Sequence, residues 1–387
     1  MQLILLLVIF VLQLAYSGLL LYYRSSWLAI PSYSIPAGEL PATRVTIIIP
    51  ARNEEANIID CLTSILRQDY PSDLLQVIVV DDHSTDNTIS MVEKFPLVML
   101  VKLSDHVRGP INSYKKKAIE TALAFSTGEI IISTDADCIV NSLWIRTLVS
   151  FYSARNAKFI VMPVCFSTDR TFFNKFQELD FMSLQGITGA AVSRKSLNMC
   201  NGANMAYSAE AFKKVEGFKN IDHIASGDDM LLMQKISMAF PGEVHFLKSK
   251  EVIVRTKPMG NLSGFINQRI RWASKADQYT DQRITAVLMV VYLLNFSLLL
   301  LPVFLIFRNS TYNFGSFHLA VFQGWLLLLA LKTITELYFL FPVATFFGRK
   351  KLLVWFPFAQ PFHILYTVIA GWLGKFGKYQ WKGRTVK

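Results

Sequence analysis

The chain has 387 residues, of which 52% are hydrophobic and 29 are Phe, with a mean hydropathy of +0.35. That exceeds ordinary soluble composition, so part of the apolar surplus has to face lipid. The net charge of +11 does not signal nucleic acid, because much of it borders hydrophobic segments: Arg349, Lys350, Lys351, Lys375, Lys378, Lys382, Arg384 and Lys387. Anionic lipid headgroups account for that placement, and there is neither zinc-finger spacing nor a basic helix with interleaved aromatics.

In chain order, Leu3 to Tyr23 carries no charge and is long enough to span a bilayer. A cleaved signal peptide is the competing reading, since Ala15-Tyr16-Ser17 loosely resembles a cleavage site. No basic region precedes the apolar run and Arg24 follows it, which favours a retained anchor over residues 1–24 with the following chain cytoplasmic. Residues 25–43 read as a linker, with three prolines and a glycine between Pro31 and Thr43. Cys61, Cys138, Cys165 and Cys200 are widely spaced and fit neither a disulfide framework nor a zinc pattern.

A catalytic domain is expected over residues 44–259. Apolar runs there alternate with helical patterns: Val45 to Ile49 then Asn57 to Arg67, Gln76 to Val80 then Thr85 to Lys94, Val98 to Leu103 then Ser113 to Phe125, and Glu129 to Thr134. Continuous Val/Ile runs predict strands buried on both faces, as in a mostly parallel α/β sheet. Beyond Asp137 the rhythm loosens, with a strand expected at Lys158 to Val164, an amphipathic stretch from Phe172 to Leu184 and a helix after Ser208. An interfacial helix is expected over 260–283 and a membrane region over 284–374, with crossings at Ile284 to Phe307 and His318 to Phe341 joined by a polar loop around Asn309 to Gly315. For Leu352 to Leu373 two readings stand: a re-entrant hairpin broken by Pro357 and Pro361, or a further crossing. Residues 375–387 form a basic tail.

Four polar signatures lie in fixed order along this framework, Asp81-Asp82, Asp135-Ala136-Asp137, Asp228-Asp229, and Gln268 with Arg271 and Trp272, with further polar strings between them. Pro50, Arg52, Asn53 and Glu54 follow the first strand, and Asp81-Asp82-His83-Ser84-Thr85-Asp86 follows the second. A carboxylate at a strand end accepts bonds from a base N–H or ribose hydroxyls, although Ser84 and Thr85 read better as helix caps. Lys115, Lys116 and Lys117 point in different directions on a helix, so at most one or two face a site. Asp135-Ala136-Asp137 follows the fourth strand; in extended chain its two acids point the same way and suit Mg²⁺ or Mn²⁺. Asn201-Gly202-Ala203-Asn204 is either a substrate loop or a tight turn, and Asp228-Asp229 opens a helical run where acids also favour the helix N-terminus. On a helix Gln268, Arg271 and Trp272 share a face while Arg269 points elsewhere.

Together, from Arg44 to Ala276, these signatures resemble family 2 glycosyltransferases, with an Asp-x-Asp motif and the Gln-x-x-Arg-Trp motif of membrane-integrated synthases. The resemblance implies a GT-A, Rossmann-like domain with one N-terminal and two to three C-terminal transmembrane helices. It implies that Pro50, Arg52, Asn53, Glu54, Asp82 and Asp135 bind the donor nucleotide and that Asp137 with Asp135 holds the metal. Asp229 would be the base, with Asp228 and Arg271 also catalytic; Asp228 stands where relatives carry Glu, and His83 where they commonly carry Gly. Gly202, Asn204, Gln268 and Trp272 would meet the acceptor. The implied function is inverting, metal-dependent transfer from a nucleotide sugar, UDP-sugar favoured, to a membrane lipid or lipid-linked acceptor, on the cytoplasmic side of a cell or inner membrane. A processive polysaccharide synthase is the nearer alternative, and a catalytically silent membrane scaffold or transporter subunit the more distant one.

Overall fold

A computed structural model describes residues 2–38, 42–107, 113–167, 171–196, 199–275, 282–308, 315–377, 379–381 and 384–386. Its elements up to the domain's middle are α1 (Gln2–Ala29), β1 (Val45–Ala51), α2 (Ile58–Leu66), β2 (Leu75–Asp81), α3 (Thr88–Val92), β3 (Val98–Lys102), α4 (Leu103–His106), α5 (Tyr114–Leu123), β4 (Ile130–Ser133), α6 (Trp144–Arg155), β5 (Phe159–Val161) and β6 (Val164–Phe166). There follow α7 (Phe172–Ser193), β7 (Met205–Ser208), α8 (Ala209–Lys214), α9 (Met230–Ala239), β8 (Val244–Phe246), β9 (Val254–Thr256), α10 (Leu262–Ala273), α11 (Gln282–Arg308), α12 (Gly315–Phe346), α13 (Phe356–Phe376), β10 (Tyr379–Trp381) and β11 (Arg384–Val386). The chain divides into two compact units. One comprises Ala29–Thr168 with Ile187–Pro258, and the other Met1–Leu28, Asp169–Gly186 and Met259–Lys387.

The first unit is built on a sheet of order β3-β2-β1-β4-β7-β5-β8. Its first four strands are parallel: Ile47 of β1 lies opposite Val77 on one side and Ile132 on the other. Ile47, Ile48, Ile49, Ile78, Val79, Val80 and Ile130 to Ile132 are fully buried, as strands covered on both faces require. Each such side chain contributes roughly 1.5–3 kcal/mol of burial. The second half departs from the parallel pattern, because β7 runs antiparallel to both β4 and β5. The single strand expected at Lys158 to Val164 is two: β5 joins the main sheet, while β6 pairs with β9 in a separate two-stranded sheet. Pro163 stands between them and has no N–H to continue a ladder. The result that matters for function is that the C-terminal ends of β2, β1 and β4 lie side by side, where open α/β sheets bind ligands.

Among the described residues of the second unit, four helices are long and apolar enough to cross a membrane: Leu7–Ala29, Gln282–Pro302, Phe322–Phe346 and Lys350–Phe376. The break expected at Pro357 and Pro361 does not occur. A 3₁₀ turn over Lys350–Trp355 leads directly into α13, Pro357 occupies the first helical turn where its missing N–H costs nothing, and the helix continues through Pro361. Helices α10, α11 and α12 all pack against α13. Lys332 and Glu336, 2.6 Å apart on α12, form a buried charged pair within these spans. Lys332 also donates to Gln360 of α13 at 2.9 Å, and Glu336 accepts from Tyr16 of α1 and Gln360. Asn309 to Phe314 of the expected polar loop, and Lys378, Lys382 and Lys387 of the tail, lie outside the described residues.

Candidate active site

The loop after β1 and the loop after β2 are laced together. Arg52 donates from Nη1 to the Asp82 carbonyl at 2.8 Å, the Asn53 N–H donates to Ser84 Oγ at 3.0 Å, and the Thr85 N–H donates to Asn53 Oδ1 at 2.8 Å. The Glu54 N–H reaches Thr88 Oγ1 at 2.8 Å and the Glu55 N–H reaches Asp86 Oδ2 at 3.1 Å. Ser84 and Thr85 therefore serve this crossing and are not helix caps; α3 begins only at Thr88. Pro50 lies within β1, two residues past its last β4 partner, Ile48. Asp82 is 5% exposed, and its carboxylate sits 3.0 Å from His83 Nδ1. His83 itself adopts φ +56°, a left-handed conformation that favours glycine.

The second cluster centres on Lys115, from the first turn of α5. Its Nζ lies 2.7 Å from Asp135 Oδ1 and 3.2 Å from Asp228 Oδ2, so one ammonium joins two signatures ninety residues apart in sequence. Burial disfavours that charge, but Asp135, Asp228 and Asp229 outweigh it and raise the Lys115 pKa well above the ordinary lysine range. Of the three lysines this one alone reaches the acids. Lys116 is buried and donates to the Ile221 and Ile224 carbonyls, while Lys117 pairs with Glu120 on the surface. Asp135 and Asp137 do not lie in extended chain as expected; they occupy a tight turn after β4, closed by the Cys138 N–H donating to the Asp135 carbonyl at 3.2 Å. Asp137 is fixed by Thr256 Oγ1, which donates to its Oδ2 at 2.8 Å, a contact from β9 that the sequence did not disclose.

Asp229 is the N-cap of α9, its Oδ1 accepting from the Met230 N–H at 2.7 Å and its Oδ2 from the Gly202 N–H at 3.2 Å. A Cβ on Gly202 would stand 3.0 Å from both Asp228 Oδ2 and Lys115 Nζ, so this glycine is required by close approach. Asn204, expected at the acceptor, belongs to the scaffold instead. It is fully buried, accepts from Trp144 Nε1 at 3.0 Å and donates to the Pro163 and Val252 carbonyls at 2.7 and 2.8 Å, which uses both of its N–H donors within the scaffold. As for a metal, no group of three His, Cys, Asp or Glu side chains is present among the described residues. Two hard carboxylates in one turn nevertheless fit Mg²⁺ or Mn²⁺, which is commonly held by one or two carboxylates with substrate phosphates and water completing the shell.

Gln268, Arg271 and Trp272 lie on α10, in the other unit. Arg271 is half-buried and has no ion pair or side-chain hydrogen bond among the described residues. Arg269, which the helical spacing turns away from that face, is 3% exposed and points into a buried ion pair with Asp180 of α7.

With this geometry in view, the comparisons with known proteins are specific. A mannosyltransferase from Pyrobaculum calidifontis, solved with GDP-Man and Mn²⁺, superposes with a TM-score of 0.56 at 24% identity, covering 93% of this chain and 99% of that one. The architecture is thus the GT-A fold. The family model "Glycosyl transferase family 2" matches residues 46–216. Over 121 residues it is 28% identical to the poly(ribitol-phosphate) beta-N-acetylglucosaminyltransferase TarS of Staphylococcus aureus, covering 31% of this chain and 21% of that protein. Over 122 residues it is 30% identical to a beta-monoglucosyldiacylglycerol synthase of Synechocystis sp., covering 30% of this chain and 25% of that protein. The chain spans only about a quarter of the length of these two relatives.

Proposed function

We propose that the protein is an inverting, metal-dependent glycosyltransferase that moves a sugar from a nucleotide-sugar donor to a membrane lipid or lipid-linked acceptor. The observation that carries this reading is the convergence of Asp135, Asp228, Gly202 and Asp229 on Lys115 inside a GT-A domain. The laced loops with Asp82 hold the base and ribose, and UDP-sugar is the favoured donor. Asp137 with Asp135 would hold Mg²⁺ or Mn²⁺, whose chemistry is to neutralise the donor diphosphate as it departs. The Pyrobaculum mannosyltransferase of the same fold was solved with GDP-Man and Mn²⁺, which supports a metal-dependent nucleotide-sugar donor.

Asp229 accepts the proton of the acceptor hydroxyl while that oxygen bonds to the anomeric carbon. The bond from that carbon to the diphosphate breaks with its electron pair leaving on the nucleoside diphosphate. Lys115 orients the two acids and Arg271 meets the leaving charge by charge-assisted bonds. Trp272 and Gln268 take the acceptor. The four candidate spans among the described residues and the similarity to a beta-monoglucosyldiacylglycerol synthase support an acceptor delivered by the membrane; Arg24 after the first apolar run is the basis for placing the catalytic domain on the cytoplasmic face.

The reading is tested by incubating purified protein with UDP-, GDP- and dTDP-sugars in mixed lipids and following lipid mass. One added hexose-sized shift supports it, and no transfer from any donor refutes it. Within an active preparation, Asp229→Asn abolishes transfer and leaves metal-dependent nucleotide binding intact; turnover by that variant would reassign the base.

A further inference from the structure

We infer that Asp180 and Arg269 are positioning residues for the motif helix: a buried clamp that sets the faces Gln268 and Trp272 present and leaves Arg271 available. The inference deepens the glycosyltransferase reading and rests on it for its kinetic consequences.

Arg269 donates to a single carboxylate oxygen twice, from Nε at 3.0 Å and Nη2 at 2.6 Å to Asp180 Oδ2. Both side chains are 3% exposed. The other oxygen, Oδ1, accepts from the Tyr366 hydroxyl of α13 and lies 3.8 Å from His363 Nε2. Asp180 therefore ties α10 and α13 to α7 at one point. An ion pair this well buried is weak evidence for stability, because desolvation offsets much of its attraction; its better attested use is to fix one arrangement among several.

What it fixes is the motif. The third nitrogen of Arg269, Nη1, donates to Gln268 Oε1 at 2.6 Å, which settles which end of that amide is turned inward and leaves its NH₂ to present outward. The guanidinium carbon stands 4.2 Å from the Trp272 ring centroid and 4.4 Å from that of Phe265. One face of Trp272 is thus covered by a cation held from behind, while Phe181 lies tilted beside it at 6.0 Å. The clamp also decides between two arginines in one short string. The buried carboxylate takes Arg269, and Arg271 keeps its guanidinium without a partner among the described residues.

The test uses the full chain in lipid nanodiscs with Asp180→Asn, Arg269→Gln and the neutral double variant. Each single change leaves a buried group without its partner and lowers the thermal midpoint; the double variant, having no orphan charge, recovers it. In all three the acceptor KM rises about tenfold or more, as small misplacements at a site produce, while the Kd for UDP or GDP with Mn²⁺ stays at the wild-type value. An acceptor KM that returns to wild type together with stability in the double variant would show the clamp to be structural only and overturn the proposal. A second readout needs no acceptor: acrylamide quenching of the Trp272 component, obtained by difference from Trp272→Phe, increases in Asp180→Asn. Unchanged quenching overturns the clamp whether or not the protein transfers sugar. Loss of transfer in the wild type alone would refute the glycosyltransferase reading instead.

Discussion

Gly202 and Asn204 stand two positions apart in one loop and do opposite kinds of work. Gly202 brings backbone against the Lys115 and Asp228 side chains, so Gly202→Ala inserts a methyl 3.0 Å from each and displaces the ion pair. Transfer should fall about tenfold or more with little change in thermal midpoint, because the strain is relieved by side-chain ends at the site. Asn204 holds three groups that water does not reach. Asn204→Leu leaves Trp144 Nε1 and two carbonyls unsatisfied, at roughly 1–3 kcal/mol each. Its expected signature is a large drop in melting midpoint with the acceptor KM of surviving protein unchanged; a raised KM at full stability would return Asn204 to the acceptor site. Sequence alone did not separate the two, since Asn and Gly in a turn satisfy both readings. What decides is where the distant carbonyls of Pro163 and Val252 fall, and no local pattern records that.

At the scale of elements, small residues set how closely the membrane helices approach α13. A Cβ on Gly374 would lie 2.6 Å from the Ala273 Cβ of α10, and one on Gly371 would lie 2.8 Å from the Tyr292 ring of α11. Such small-residue contacts let helices pack where lipid gives no hydrophobic drive for association. Gly374→Leu should lower the thermal midpoint in detergent by the equivalent of roughly 1–3 kcal/mol, the usual range for overpacking. An unchanged midpoint would mean that α10 and α13 separate without cost. The strands β1 to β4 were legible in the Val/Ile runs because burial on both faces writes itself into composition, whereas α6, which follows β4, was not. Less was legible where phase matters. Three successive lysines announce a basic helix, but only the fold turns Lys115 to the acids, Lys116 to two carbonyls and Lys117 to solvent. The acids of Asp135-Ala136-Asp137 lie in a turn after β4, and nothing in that string distinguishes a strand end from the turn that follows it. Arg269 was seen to leave the motif face, and its buried destination lay ninety residues earlier in the chain.

At the scale of the molecule, the membrane unit carries a polar seam that its composition barely hints at. Lys332, Glu336, Gln360 and Tyr16 satisfy one another while nearly hidden from solvent. Lys332→Met leaves Glu336 buried with its charge unmatched and should cost about 3–5 kcal/mol, read as a lower unfolding midpoint in detergent; a midpoint equal to wild type would mean the carboxyl is neutral in the folded protein. The lacing of the loops after β1 and β2 has a different kind of consequence. Backbone N–H groups of Asn53, Glu54, Glu55 and Thr85 are bonded across the two loops by the protein's own side chains. A pocket wall tied in this way has little chain entropy left to lose, so binding of a nucleotide to it is expected to show the thermodynamics of a preorganised surface: a small heat-capacity change and an affinity set by the base and sugar it contacts, with almost none of it offset by ordering the protein.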